Sequence, residues 1–210
     1  MQLLLPILLL GLLTACATEP TVTEQPSGEF AEEGLYEVSG SGFATAYARR
    51  DVRLADYRKV NIELLQAADA DMSRTPVGGT LRRDWQMTPE REAALQGLWS
   101  ESMERSFSAY GRADSGEGVL RIAAAMTRVA PGRPTATTVG GGFQAQGSSQ
   151  DVVEIFMEFR LYDQASWDLL AVIRDSRTMV SMAMSRTAPA GVRTMFNSWA
   201  ALLHTRVSGN

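Results

Sequence analysis

The chain has 210 residues, 45% hydrophobic and 21% charged, the balance of one ordinary globular domain and not of a disordered chain. A formal net charge of -4 argues against a nucleic-acid binder. One cysteine and one histidine exclude an internal disulfide framework and a Cys/His zinc site, and they leave most histidine-dependent catalysis without its parts.

Leu3 to Leu13 is an apolar run broken only by Pro6 and Gly11. It is shorter than the roughly 20 residues that span a bilayer, and it has the length of a signal-peptide core. No Lys or Arg precedes it. The run ends in Leu13-Thr14-Ala15-Cys16, which resembles the lipobox of bacterial lipoproteins. That resemblance implies cleavage before Cys16, a diacylglycerol on its thiol and further acylation of its amine, with residues 1–15 removed as the signal peptide. Two or more acyl chains anchor stably where one does not. Ala17, and not Asp, follows the cysteine, which by the same resemblance implies the outer membrane, periplasmic face.

From Ala17 to Ser41 the chain is rich in Thr, Glu, Ser, Pro and Gly, with Glu19, Glu24, Glu29, Glu32, Glu33 and Glu37 and no base. Residues 16–41 therefore read as the lipidated cysteine followed by a flexible acidic tether, spanning roughly 25–30 Å on average. Six of the 24 acidic residues lie there, so the remainder, residues 42–210, carries 18 acids against 20 bases.

Within that domain Arg58 to Gln66 alternates as a strand, through Val60, Ile62 and Leu64. The segment from Asp69 to Gln86 reads as a loop. Thr88 is placed as a helix N-cap before Pro89, with Glu90 and Glu92 in the first turn and Gly111 as the stop. The stripe of that helix is Leu95, Leu98, Trp99, Met103, Phe107 and Tyr110. Leu120, Ile122, Ala124 and Met126 form one face of a second strand, with Arg121 and Arg128 off that face. Pro131 to Gln150 is a Gly/Thr/Ser/Gln-rich loop containing Gly140, Gly141 and Gly142, without the lysine that a phosphate-binding P-loop requires. Val153, Ile155, Met157, Phe159 and Leu161 alternate with Glu154, Phe156, Glu158, Arg160 and Tyr162 in the clearest strand of the chain. After a turn at 163–168, Leu169 to Ile173 starts a fourth strand, and Met179 to Met184 is either its continuation after a kink or a separate one. Val192, Met195, Phe196, Trp199, Leu202, Leu203 and Val207 are the stripe of a second helix after Pro189, with Gly209 at its end.

The order β-α-β-β-β-α predicts an α/β two-layer sandwich, with a four-stranded, mostly antiparallel mixed sheet and two helices on one face. Trp99 and Trp199 should both be buried against the odd-numbered residues Val153 to Leu161.

Ser41-Gly42-Phe43, Tyr57-Arg58-Lys59-Val60, Glu158 to Asp163 and Leu169 to Asp175 together resemble a family of Gram-negative lipoproteins known only as a domain of unknown function. Two positions depart from its pattern. Ala44 stands where it has leucine, and Ser166-Trp167-Asp168 occupies a turn where it usually has glycine. The resemblance implies a periplasmic α/β lipoprotein and carries no catalytic residues.

No nucleophile elbow is present, and His204 sits near the end of the last helix, where it can interact with the terminal carbonyls. Glu154 and Glu158 share a strand face, as a carboxylate pair or as partners of Arg121 or Arg160. Asp163, Asp168 and Asp175 lack the spacing of an EF-hand and suit turns or caps. From Ser176 onward the chain has Arg177, Arg186, Arg193 and Arg206 and no acid, and these are the candidate partner-binding residues. The expectation is a non-catalytic binding or envelope-assembly module, held to the membrane by its lipid and facing an envelope protein, with no cofactor, metal or nucleic acid. The alternative is an envelope hydrolase working through carboxylates.

Overall fold

A computed structural model describes residues 20–26, 28–72, 87–131, 152–180 and 189–209. Nine strands are present among them: β1 (Thr21–Val22), β2 (Tyr36–Ser39), β3 (Thr45–Ala48), β4 (Lys59–Ile62), β5 (Asp71–Met72), β6 (Gly111–Arg112), β7 (Val119–Pro131), β8 (Val152–Asp163) and β9 (Leu169–Val180). The two α-helices are α1 (Pro89–Ser106) and α2 (Pro189–Ser208). The strands lie in the order β1-β2-β3-β9-β8-β7-β4-β6, with β5 also paired to β7. β4 runs parallel to both β6 and β7, β5 runs parallel to β7, and the remaining pairs are antiparallel.

The fold is thus α/β with a large mixed sheet and two α-helices, and the expected four-stranded sheet is corrected to nine strands. The four predicted strands are the centre, β9-β8-β7-β4. β9 runs unbroken to Val180, so Met179 and Val180 continue it, while residues 181–184 lie outside the described residues. Twelve residues of β9 would present a long unpaired edge, a liability in any sheet; β3 covers part of it, from Thr45↔Arg174 to Ala48↔Ala171. The first predicted strand is shorter than Arg58 to Gln66. It ends at Ile62, keeps to β7 through the Glu63 N–H to Ile122 carbonyl bond and the Gln66↔Ala125 bridge, and pairs with it again as β5.

Alternation does the sorting along β8. The odd-numbered residues Val153 to Leu161 are all buried, and the even-numbered ones lie half-buried on the opposite face. On β7 a bulge between Met126 and Arg128 changes the phase, which carries Val129 back into the core and leaves Arg128 over Phe156 on the open face.

Both helices pack on the odd-numbered face. Trp99 of α1 stacks on Phe159 at 5.6 Å and Trp199 of α2 meets the same ring edge-on at 6.2 Å, with Phe196 against both indoles. Both tryptophans are fully buried, as the stripes predict. The Thr88 side chain accepts from the Arg91 N–H and caps α1. α1 stops at Ser106, short of Gly111, because Phe107 and Tyr110 turn inward against each other and Gly111, in β6, pairs with Lys59 of β4. Gly209 ends α2 at φ 75°, the left-handed conformation that favours glycine.

The expectation of a coil over residues 16–41 is corrected where the chain is described. β1 pairs with β2, β2 with β3, and a 3-10 turn at Gly28–Phe30 lays Phe30 and Leu35 over Val172 in a small second core on the open face. Two large apolar side chains suffice because the sheet supplies the surface they bury; alone, the segment has none. Cys16 and residues 1–15 lie outside the described residues, as do Gly140, Gly141, Gly142 and most of the two predicted loops.

Candidate functional site

The open face of the sheet carries its polar chemistry in rows set by strand register. Asn61, Arg121 and Tyr162 are neighbours across β4, β7 and β8. Arg121 forms an ion pair with Glu63, and its guanidinium lies 5.2 Å from the Tyr162 ring centre and 4.1 Å from that of Trp167. Asn61 Nδ2 donates to Gln164 Oε1 at 3.1 Å, which ties this row to the β8–β9 hairpin.

The hairpin is built by Asp163. Its Oδ1 accepts from the Ala165 and Ser166 N–H groups at 2.9 Å, and its Oδ2 accepts from the Tyr57 hydroxyl at 2.8 Å. The backbone N–H of Ser166, with the Tyr57 hydroxyl, holds the Asp163 carboxyl below the usual range despite partial burial. Burial, and then the adjacent Asp163, push the Tyr57 phenol well above its usual range. Asp163 and Asp168 therefore act as turn residues, in keeping with the Asx-turn chemistry of a carboxylate.

The hairpin presents Trp167 at φ 63°, the one non-glycine among the described residues with a positive φ, and leaves it 60% exposed. A left-handed conformation costs a residue with a Cβ about 1–2 kcal/mol. Arg121 recovers about 0.5–1 kcal/mol through its ring contact. This is the turn in which the resembled family usually has glycine. Replacing Trp167 with Gly should leave the melting temperature unchanged or raise stability by up to about 1 kcal/mol. A clear loss of stability on thermal unfolding would show that the indole is a structural clamp.

A second row joins Glu158 on β8 to Arg174 on β9. Glu158 is 13% exposed and accepts from Arg160 Nε and Arg174 Nε, both at 2.7 Å. Burial alone would push its carboxyl up; the two guanidinium hydrogen bonds outweigh that and hold it below the usual range. Arg174 also pairs with Glu29 and lies over the Phe30 ring, latching the 3-10 turn to the face. Glu154 accepts from Ser176 Oγ at 2.7 Å. The two carboxylates share a face but serve different partners. Because the folded pKa of Glu158 lies below its unfolded value, its contribution is complete above the unfolded value near pH ~4.3 and is lost as pH falls through the folded one. Acid unfolding of Glu158→Gln should therefore show a shallower fall below about pH 4.5, with a cost of about 1–2 kcal/mol at neutral pH. An unchanged acid limb would remove Glu158 from the account.

Of the arginines expected to meet a partner, Arg177 lies on β9 and Arg193 and Arg206 on α2, and these three are occupied within the chain. Arg177 pairs with Asp175, donates to Ser198 and lies over Trp199; Arg193 pairs with Glu101; Arg206 donates to the Ser41 and Gly40 carbonyls. Arg186 lies outside the described residues. His204 packs edge-on against Phe107 and Tyr110.

Asp175 is the polar keystone on the helix face. Oδ1 accepts from the Ala44 N–H at 3.1 Å, and Oδ2 accepts from Trp199 Nε1 at 2.6 Å and Arg177 Nε at 3.2 Å. A shallow polar cleft at the β4–β6 edge is lined by Asn61, Ser100, Glu104, Arg112 and Asp114. Among the described residues no group of three His, Cys, Asp or Glu is placed to hold a metal ion, and no helix is long and apolar enough to cross a membrane.

Sequence reasoning missed Trp167 as a surface group and Glu29, Phe30 and Leu35 as packed ones. The departure from glycine in the 163–168 turn was the signal for the first. For the others it was two large apolar residues in an otherwise polar stretch.

No family model matches the chain, and no curated protein matches it. Solved structures similar to it include the PelC dodecamer from Paraburkholderia phytofirmans, 12% identical over 78% of this chain and 98% of that one, with a TM-score of 0.41. Another is XCC0632 from Xanthomonas campestris, of family-model DUF330, 13% identical over 77% and 91%, with a TM-score of 0.46. A third is the hypothetical protein CT253 from Chlamydia trachomatis, 8% identical over 73% and 99%, with a TM-score of 0.42.

Proposed function

We propose that the chain is a non-catalytic binding or envelope-assembly module, lipid-anchored through Cys16 to the periplasmic face of the outer membrane. The observation that carries the binding role is Trp167, an indole kept 60% exposed in a backbone conformation that glycine would adopt at lower cost. Strain of this kind persists where it serves a function, and exposed tryptophans are over-represented among residues that carry binding energy. The hydrolase alternative asks Glu154 and Glu158 to divide acid and base roles. Glu158, held ionised by two arginines, is a poor proton donor, and Glu154 serves a serine of the next strand.

The anchoring half predicts that Cys16→Ser moves the domain from the membrane fraction to the soluble periplasm and that intact mass loses the acyl chains. A variant that stays membrane-bound at unchanged mass contradicts it. The binding half predicts that Trp167→Gly, folded and correctly localised, fails to complement a deletion strain under envelope stress. Full complementation by that variant contradicts it.

A further inference from the structure

We propose that the β1–β2 edge of the sheet faces the bilayer that carries the anchor, because the connection is too short for the domain to turn that edge away. The proposal rests on lipidation of Cys16, as inferred above. The chain is held to the sheet from Thr21 onward: Thr21 pairs with Ser39 and Val22 with Val38, and the Thr23 N–H donates to the Glu37 carbonyl at 3.0 Å. The Glu24 carbonyl then accepts from Arg50, whose guanidinium lies over the Tyr36 ring. Only Ala17, Thr18, Glu19 and Pro20 stand between Cys16 and Thr21. Five fully extended steps reach at most about 18 Å.

The domain is larger than that reach. A folded chain of this size is roughly 40 Å across. From β1 to β6 the sheet order makes seven inter-strand steps, about 34 Å at the usual spacing. An attitude that sets the β4–β6 edge on the bilayer and lifts β1 to the far side would need about twice the available chain. The polar cleft at the β4–β6 edge is therefore on the side that a periplasmic partner can approach. Charge does not drive the contact, since Glu24 follows β1 and Glu37 lies in β2, and anionic headgroups repel both. The connection itself sets the orientation.

The test uses the full-length lipidated protein in vesicles of phosphatidylethanolamine and phosphatidylglycerol. Acylated Cys16 has no free thiol, so an introduced cysteine is the sole labelling site. A donor fluorophore is placed by Val22→Cys on β1, 39% exposed, or by Glu117→Cys in the exposed connection from β6 to β7, with an acceptor on the lipid headgroups. Energy transfer should be several-fold stronger from position 22 than from position 117, and it should survive high salt, which screens charge contacts. An insert of about twenty Gly/Ser residues after Ala17, adding roughly 25 Å of average reach, should collapse the difference while the protein still floats with the vesicles. Equal transfer from both positions, or a difference that the insert leaves unchanged, overturns the proposal. Loss of flotation with a mass lacking acyl chains removes the anchor itself, a failure distinguishable from a wrong orientation.

Discussion

Replacing Trp199 with alanine should destabilise the domain by about 3–5 kcal/mol, the range for removing a fully buried tryptophan. The indole is fully buried, lies between Phe159 and Phe196, and carries the Arg177 guanidinium 5.2 Å from its ring centre. Its Nε1 donates to Asp175. Trp99 offers an internal control: it is equally buried, but its Nε1 has no hydrogen-bond partner among the described residues. Phenylalanine at 99 removes an unsatisfied donor, whereas phenylalanine at 199 strips a donor from a buried carboxylate. Urea unfolding should therefore rank Trp199→Phe as more costly than Trp99→Phe. The reverse order would mean that ring volume, and not the Asp175 bond, governs this part of the core.

Asp175→Ala should cost about 2–4 kcal/mol, because one substitution leaves the Ala44 N–H, the Trp199 indole N–H and Arg177 without their shared acceptor. Asp175 is 11% exposed, so water replaces it poorly. Asp175→Asn keeps one acceptor oxygen and should fall between alanine and the native residue. The loss should also be local before it is global. β3 meets β9 beside Asp175, through Thr45↔Arg174, so hydrogen exchange at the Ala44 amide should quicken first. A uniform change in protection across the sheet would place the keystone elsewhere.

The centre of the fold was legible in the sequence because burial imposes a period. Val153 to Leu161 alternate strictly, and both helix stripes repeat at three- and four-residue steps, so β8, α1 and α2 were readable together with the face on which they meet. The flanks impose no period. β1, β5 and β6 are two residues each, and β2 contains Glu37 in an acidic stretch whose mean composition reads as coil. What folds residues 28–48 is the free edge and open face of β9, a long-range partner invisible to local composition. The candidate site was legible only in part. Arg177, Arg193 and Arg206 stood out by charge, yet each is consumed by a carboxylate, a hydroxyl or a backbone carbonyl, because helix ends and sheet edges need those donors. Trp167 did not stand out, since its significance lies in a backbone angle set by the Asp163 turn.

The central claim is that the anchored domain binds an envelope partner through the hairpin that presents Trp167. A photo-reactive tryptophan analogue that keeps the indole, placed at position 167, with Leu64 and Glu117 as exposed control positions, tests it in native membranes. The account predicts one discrete crosslinked species at 167, absent at Glu117 and lost when Cys16→Ser releases the domain. No discrete species at 167, or the same labelling at all three positions, would contradict it.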